Sequence, residues 1–249
     1  MYNELITIGN FTIHSYGLLI TIGFISAMII SSYMNKKYNL NKEEITNLAL
    51  IIIVSGIIGA KVLYCLVNIK DIIKNPNFLL SGDGFVVYGG IISALVISFL
   101  YCKKRKLDFL SYTDLILPSV FIAQGFGRLG CFFAGCCYGK EYNGFGSIIF
   151  RNSTYAPNNI GLFPAQLISS GYNFLIGAIL LYFYYKKKLN IGIITALYLL
   201  LYGTGRFFIE FLRGDIERGN IGILSTSQFI SIFIIILGIF LLRKKGEKK

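Results

Sequence analysis

The sequence predicts an all-α fold, a polytopic integral membrane bundle of about seven transmembrane helices. Of the 249 residues 55% are hydrophobic and only 14% are charged, and the mean hydropathy is +0.65, whereas soluble domains contain about 25% charged residues. The chain has apolar stretches long enough to cross a hydrocarbon core of about 30 Å, which takes roughly 20 helical residues. Basic residues concentrate in alternate connections between these stretches. We expect one transmembrane domain over residues 1–249.

The predicted spans follow one another along the whole chain. In order, they are centred on Tyr16–Met34, Ile45–Val67, Phe85–Cys102, Thr113–Phe133, Phe163–Tyr185, Ile191–Phe211 and Ile221–Leu242. No basic segment precedes the first apolar run, so the sequence does not indicate a cleavable signal peptide. The longest polar stretch, residues 139–162, separates the fourth span from the fifth. A connection of this length is either functional or a solvated linker.

The distribution of basic residues predicts the orientation of the chain. One set of connections holds Lys36, Lys37, Lys42, "KKRK" at 103–106, Lys186–Lys188 and "RKKGEKK" at 243–249. The intervening connections hold Lys70, Lys74, Lys140, Arg151, Arg213 and Arg218. Because the more basic loops face the cytoplasm, we expect the N-terminus outside and the C-terminus on the cytoplasmic side of the membrane. The net charge of +12 is then explained by topology and lipid headgroups, and we expect no nucleic-acid partner.

Charged residues inside the predicted spans indicate a functional site, because burying one costs at least about 2.5–3.5 kcal/mol on insertion scales. The candidate site residues among them are Lys61, Arg128, Arg206 and Glu210, with Arg213 and Asp215 just beyond the end of the sixth span. Arg206 and Glu210 are four residues apart, so they share a helix face and can form an ion pair. Such a pair can be purely structural, or it can position the arginine for a ligand.

Glycines surround these charges in "GGI" at 89–91, "GFGRLG" at 125–130 and "GTG" at 203–205. Small residues allow helices to pack closely, but they also allow backbone and guanidinium groups to approach a ligand. Two arginines and a lysine on separate spans suit a phosphate or carboxylate, since guanidinium groups bind these anions bidentately. In a membrane the natural anion is a lipid headgroup.

The five cysteines divide into two groups. Cys65 and Cys102 lie singly in apolar spans and are typical of packing residues. Cys131, Cys136 and Cys137 form a C-x4-C-C cluster, which is not a zinc spacing, and His14 is the one histidine, so we predict neither a metal site nor a cofactor. The cluster can form a disulfide, provide a reactive thiol near Arg128, or simply fill space at a helix end.

Five segments in order resemble the bacterial prolipoprotein diacylglyceryl transferase family. They are "SYG" at 15–17, "YGG" at 88–90, "GRLG" at 127–130, "FPAQL" at 163–167 and "LYGTGRFFIEFLRGD" at 201–215. The resemblance implies transfer of the diacylglyceryl group of phosphatidylglycerol to the lipobox cysteine thiol of a preprolipoprotein. The products are a thioether and glycerol phosphate. The partners are thus the donor lipid, the lipobox peptide and the membrane.

The resemblance also implies roles for individual residues. The implied catalytic residues are Tyr88, Arg128, Arg206 and Glu210. The implied substrate-binding residues are Tyr16, Lys61, Gly89, Gly90, Gln166, Tyr202 and Arg213. Arg128 and Arg206 would stabilise the phosphate charge as the C–O bond breaks, and Glu210 would hold Arg206 in place.

Two departures from the family pattern concern the reaction itself. The family usually has histidine before its glycine pair, a candidate for activating the acceptor thiol, where this chain has Tyr88. Tyrosine ordinarily has a pKa near 10, so it is a weak general base at neutral pH, and His14 is an alternative base. In the family signature "GRxGNFxNxExxG", Cys131, Ala134 and Cys136 replace the polar residues.

These departures leave two other functions open. One is a related phospholipid-dependent transferase with a different acceptor. The other is a redox-active membrane protein that uses Cys131, Cys136 and Cys137.

Overall fold

The computed structural model describes residues 4–8, 11–36, 38, 40–75, 84–186, 189–215 and 219–246. The basic residues Lys37, Lys187, Lys188 and Arg218, and residues 247–249 of the basic C-terminus, lie outside this described part. The chain divides into two compact units, Met1–Lys37 with Thr113–Lys249 and Tyr38–Tyr112. We call them the first and second units.

Helices make up most of both units. In chain order they are α1 (Ser15–Met34), α2 (Lys42–Val67), α3 (Ile69–Lys74), α4 (Val87–Arg105), α5 (Phe109–Ala134), α6 (Ala165–Lys186), α7 (Ile193–Glu210) and α8 (Thr226–Gly246). Short strands form antiparallel pairs, β1 (Glu4–Ile8) with β2 (Phe11–His14), β3 (Ile148–Ile149) with β4 (Gly161–Leu162), and β5 (Asn220–Ile221) with β6 (Leu224–Ser225).

Within the described residues, seven helices are long and apolar enough to cross a membrane, namely all except α3. The predicted all-α membrane class is therefore confirmed, and the predicted spans coincide with these helices apart from a few residues at their ends. The largest difference is at the last span, which was expected from Ile221 but begins at Thr226. The intervening residues form the β5–β6 hairpin, with Gly222 at a φ of +65° in its turn.

The helix surfaces are apolar and several interior contacts are polar, as expected for helices in lipid. Exposed side chains include Ile29, Val67 and Phe240, each more than 60% accessible. Inside the first unit, the Ser31 and Ser119 hydroxyls hydrogen-bond across α1 and α5 at 2.8 Å. Apolar faces thus remain available to acyl chains while small polar groups join the helices.

Asp114 on α5 caps the start of α7. Its carboxylate accepts hydrogen bonds from the backbone N–H groups of Gly192 at 2.6 Å and Thr195 at 2.7 Å. These N–H groups have no partner within their own helix, and a carboxylate also complements the positive end of the helix dipole. The cap connects α5 with α7, which carry Arg128 and Arg206.

In the second unit, α2 and α4 meet through facing glycines. A Cβ atom on Gly89 would overlap the backbone oxygen of Gly59, and one on Gly90 would lie 2.8 Å from that of Gly56. This close backbone approach requires glycine. The structure therefore gives Gly89 and Gly90 a packing role, and their predicted contact with substrate stays a prediction.

Candidate active site

The segment that follows α5 is fixed by backbone hydrogen bonds to two other parts of the first unit. Lys140 N–H donates to Leu212 O at 3.0 Å, and Gly214 N–H donates to Tyr138 O at 3.0 Å. Phe163 N–H donates to Lys140 O at 2.8 Å. The end of α5, the residues after α7 and the approach to α6 therefore meet at one end of this unit.

This meeting point brings the three clustered cysteines together. Cys131 lies in the last turn of α5, and the chain reverses through Gly135 and Cys137, whose φ values are +73° and +59°. Their Sγ atoms all lie within 4.8 Å of one another. All five cysteines of the chain are within the described residues, and none of them forms a disulfide.

Gln166, at the start of α6, supports the same turn. Its side chain is only 2% exposed, and Nε2 donates a hydrogen bond to the backbone oxygen of Cys136 at 3.0 Å. We predicted from the sequence that Gln166 contacts the substrate. The structure shows that it holds the backbone of the cysteine turn, and its contact with substrate stays a prediction.

Arg206 has two partners from different helices. Its guanidinium lies 3.0 Å from Glu210 Oε2, which confirms the predicted ion pair, and Nη2 donates to Ser227 Oγ at 2.8 Å. The Glu210 contact follows from the spacing on α7. Ser227 belongs to α8, and nothing in the local sequence indicated its contact with Arg206.

Arg213 is held in a bidentate ion pair. Nε donates to one oxygen of Asp215 at 3.0 Å and Nη2 donates to the other at 2.7 Å. Arg213 is only 8% exposed, and its guanidinium also interacts with Cys137. The sequence placed both charged residues at the end of a span but did not indicate this pairing or the contact with Cys137.

Arg128 on α5 differs from these two arginines. Among the described residues, no carboxylate forms an ion pair with it. It is nonetheless close enough to Arg206 and Cys137 to interact with them electrostatically. Its positive charge is therefore available to an anion.

The electrostatic balance shifts the pKa values of two groups beyond the ends of the helices. Hydrogen bonds from Cys131 and Cys136 lower the pKa of Cys137, and the guanidinium groups of Arg213 and Arg128 lower it further. Burial raises the pKa of Asp215, and Arg213 opposes that rise. The pKa of the Cys137 thiol is consequently lower than that of an ordinary cysteine, although its burial opposes this shift.

Two tyrosines predicted to bind substrate interact with these arginines and cysteines: Tyr16 with Arg128 and the cysteine cluster, and Tyr202 with Arg206. Tyr16 on α1 is 42% exposed and covers Gly130, where a Cβ would be 3.0 Å from its ring. It is within electrostatic range of Arg128 and of all three clustered cysteines. Tyr202 lies one turn before Arg206 and stacks on Tyr198, with ring centroids 5.9 Å apart.

The remaining predicted residues belong to the second unit. The Lys61 ammonium lies over the rings of Tyr64 and Phe85, 5.3 Å from each centroid. Tyr88 is in the first turn of α4, directly before the glycine pair. The roles of Lys61 and Tyr88 in substrate binding and catalysis stay predictions.

Comparison with known proteins identifies the family. A sequence profile described as prolipoprotein diacylglyceryl transferase matches residues 3–243. The chain belongs to this family. It is 49% identical over 229 residues to a phosphatidylglycerol–prolipoprotein diacylglyceryl transferase of Clostridium tetani, which covers 92% of this chain and 91% of that protein.

Other members are similarly complete matches. The corresponding transferase 2 of Clostridium perfringens is 40% identical over 242 residues, covering 95% of this chain and 94% of that protein. The Finegoldia magna transferase is 33% identical over 228 residues, covering 91% of this chain and 88% of that protein. The family resemblance inferred from five short segments is thereby confirmed.

The first unit contains most of the residues predicted to form the active site. It contains Tyr16, Arg128, Cys131, Cys136, Cys137, Gln166, Tyr202, Arg206, Glu210 and Arg213. His14, the alternative base, is exposed at the end of β2. Two contacts could not be predicted from the sequence. Ser227 accepts a hydrogen bond from Arg206, and Asp215 pairs with Arg213.

Proposed function

We propose that this protein is a membrane transferase that moves the diacylglyceryl group of phosphatidylglycerol onto the lipobox cysteine of preprolipoproteins. A C–S thioether bond forms and glycerol phosphate leaves. The observation that carries this proposal is Arg128, a cation without a carboxylate partner in the described part of the chain, next to the anchored Arg206 and Arg213.

The charge on the leaving group explains why cations are needed. The phosphodiester of the donor has one negative charge, and the phosphate monoester that departs gains a second as the C–O bond breaks. Guanidinium groups that are already oriented stabilise this developing charge without reorganising. Glu210 and Ser227 orient Arg206, while Arg128 supplies the uncompensated charge.

The other site residues receive supporting roles under this proposal. Tyr16 and Tyr202 hydrogen-bond the headgroup, and Lys61 binds the lipid phosphate. Tyr88 orients a substrate or donates a proton, because a phenol is a weak base at neutral pH. Gln166 and Arg213 hold the turn that carries the cysteines. Gly89 and Gly90, which pack against α2, also allow the backbone of α4 to approach the substrate.

We further propose that the N-terminus faces the outside and the C-terminus the cytoplasm. Basic residues occupy the last turns of α4 and α8, as Lys103–Arg105 and Arg243–Lys245. In alternating spans these ends lie on one side of the membrane, and the positive-inside rule assigns that side to the cytoplasm.

The proposed reaction is tested with purified protein in phosphatidylglycerol vesicles and a synthetic lipobox peptide. Mass spectrometry should detect a diacylglyceryl adduct on the peptide cysteine, and glycerol phosphate should appear in equal amount. Vesicles made only of phosphatidylethanolamine and a peptide with serine in place of the cysteine are the controls. Release of glycerol phosphate without a peptide adduct would contradict the proposed acceptor.

A further inference from the structure

The three clustered sulfur atoms form a ligand set. All three lie within 4.8 Å of one another, and sulfurs bound to a tetrahedral zinc ion at about 2.3 Å are about 3.8 Å apart. The separations of the sulfur atoms thus exceed the zinc-bound value by at most about 1 Å. We propose that Cys131, Cys136 and Cys137 bind one Zn²⁺ ion, whose fourth position receives the thiolate of the acceptor cysteine. The second half of this proposal rests on the proposed transfer reaction.

The chemistry of the ligands favours zinc. Thiolates are soft ligands that select zinc or copper(I), and zinc requires no redox partner. Three protein ligands with one open position are the arrangement of catalytic zinc sites, whereas structural sites are closed by four. The spacing of these cysteines argued against a metal, but the left-handed backbone at Cys137 and the turn at Gly135 bring the sulfurs together.

The surroundings of the cluster are those of a supported metal site. Gln166 holds the backbone of Cys136, and Arg213, itself held by Asp215, interacts with Cys137. Such outer contacts orient the ligands of a metal ion. Three thiolates exceed the charge of Zn²⁺ by one negative charge, which the Arg213 guanidinium beside Cys137 offsets in part.

A zinc ion supplies what the acceptor thiol lacks at this site. The reaction needs a thiolate, and within the first unit the chain's one histidine, His14, is exposed at the end of β2. A thiol that coordinates zinc loses its proton, here to water. The bound sulfur then attacks the glyceryl carbon that carries the phosphate ester, and the C–O electron pair leaves with glycerol phosphate. The neutral thioether dissociates from the metal, and no oxidant or reductant is consumed.

Metal binding is tested first, independently of activity. Reduced protein is stripped with a chelator, loaded with Zn²⁺, desalted and analysed for metal by mass spectrometry. We expect one zinc per chain, and its loss in Cys131→Ser, Cys136→Ser and Cys137→Ser. Cys65→Ser, outside the cluster and in the second unit, is the matched control. No retained zinc, or equal zinc in the cluster variants, would overturn the proposal.

The acceptor position is tested with Co²⁺ in place of zinc. Addition of the lipobox peptide should change the visible absorption spectrum, because a fourth sulfur enters the coordination sphere. A peptide with serine in place of the cysteine should leave the spectrum unchanged. An identical response to both peptides would overturn the assignment of the fourth position.

The transfer assay separates this inference from the proposed function. We expect chelator-treated protein to lose adduct formation and zinc to restore it. Full transfer by metal-free protein would overturn the zinc proposal and leave the transferase function in place. A spectrum that responds to the cysteine peptide, without any adduct, would support the metal site and contradict the transfer reaction.

Discussion

Individual side chains at this site differ in whether their charge is already compensated. Arg206 and Arg213 each have a carboxylate partner, at 3.0 and 2.7 Å respectively, whereas no carboxylate among the described residues pairs with Arg128. An ion-paired arginine is fixed in position but contributes less net charge. We therefore expect Arg128 to carry the electrostatic part of phosphate recognition.

Arg128→Ala should reduce transfer by about 100- to 1,000-fold, the effect of removing one group that stabilises transition-state charge. Adduct formation by the variant in phosphatidylglycerol vesicles provides the measurement. Arg151→Ala, in an exposed loop, is the matched control and should retain activity. A fully active Arg128→Ala protein that is inserted and folded would refute the assignment.

Glu210→Gln should destabilise the protein, because it leaves the Arg206 guanidinium without its carboxylate in a site that is mostly buried. Breaking a fully buried pair costs about 3–5 kcal/mol. We expect less here, since Ser227 remains as a partner of Arg206. Thermal unfolding in detergent measures the change, with the exposed Glu141→Gln as control. Equal melting temperatures for both variants would show that the ion pair contributes nothing to stability.

At the scale of helices, two kinds of contact determine where these side chains lie. Asp114 caps α7 from α5, and facing glycines bring α2 against α4. The first contact uses charge at a helix end and the second uses the absence of side chains. Both make specific predictions about stability.

Asp114→Ala should destabilise α7, since each buried N–H group left without an acceptor costs about 1–3 kcal/mol. Asp114→Asn keeps one acceptor oxygen and should recover part of the loss. Thermal unfolding in detergent measures the stability of these variants, with Asp71→Ala as the control because the Asp71 side chain is exposed. The cap assignment fails if Asp114→Ala and Asp71→Ala unfold at the same temperature.

Gly89→Ala should lower stability by about 1–3 kcal/mol, the typical cost of overpacking, because its Cβ would overlap the backbone of Gly59. Gly171→Ala is the control, since nothing lies within 4 Å of a Cβ there and alanine is the better helix former. Thermal unfolding should separate the two variants in opposite directions. A neutral Gly89→Ala would contradict the close contact between α2 and α4.

At the scale of the whole molecule, alternating spans and asymmetric basic loops predict the orientation. After Lys106 and after Gly246, a fused reporter that works only in the cytoplasm should be active. Near Phe145, an exposed loop residue, only a reporter that works outside the cell should be active. Replacing the basic residues of 103–106 by glutamine should weaken the preference of the chain for this orientation. Reporter signals with the opposite assignment would invert the proposed topology.

One domain over residues 1–249 also stays a prediction.

Much of this protein could be predicted from its sequence because the relevant physics is local. Span length depends on how many consecutive residues are apolar, and the Arg206–Glu210 pair depends only on a spacing of four on a helix. The β5–β6 hairpin was missed because a short apolar run is compatible with either strand or helix. The motif segments identified the family because they occur in its order along the chain.

The sequence by itself determined the membrane class, the approximate spans and the family, and it provided the candidate ionisable residues of the site. Only the tertiary structure decided that three sulfurs lie within 4.8 Å of one another, that Gln166 supports Cys136, and that Ser227 binds Arg206. Gln166 and Cys136 are 30 residues apart in sequence, and their contact depends on how the chain returns after α5. Local patterns contain no information about that return path, because it follows from the packing of all the helices in the unit.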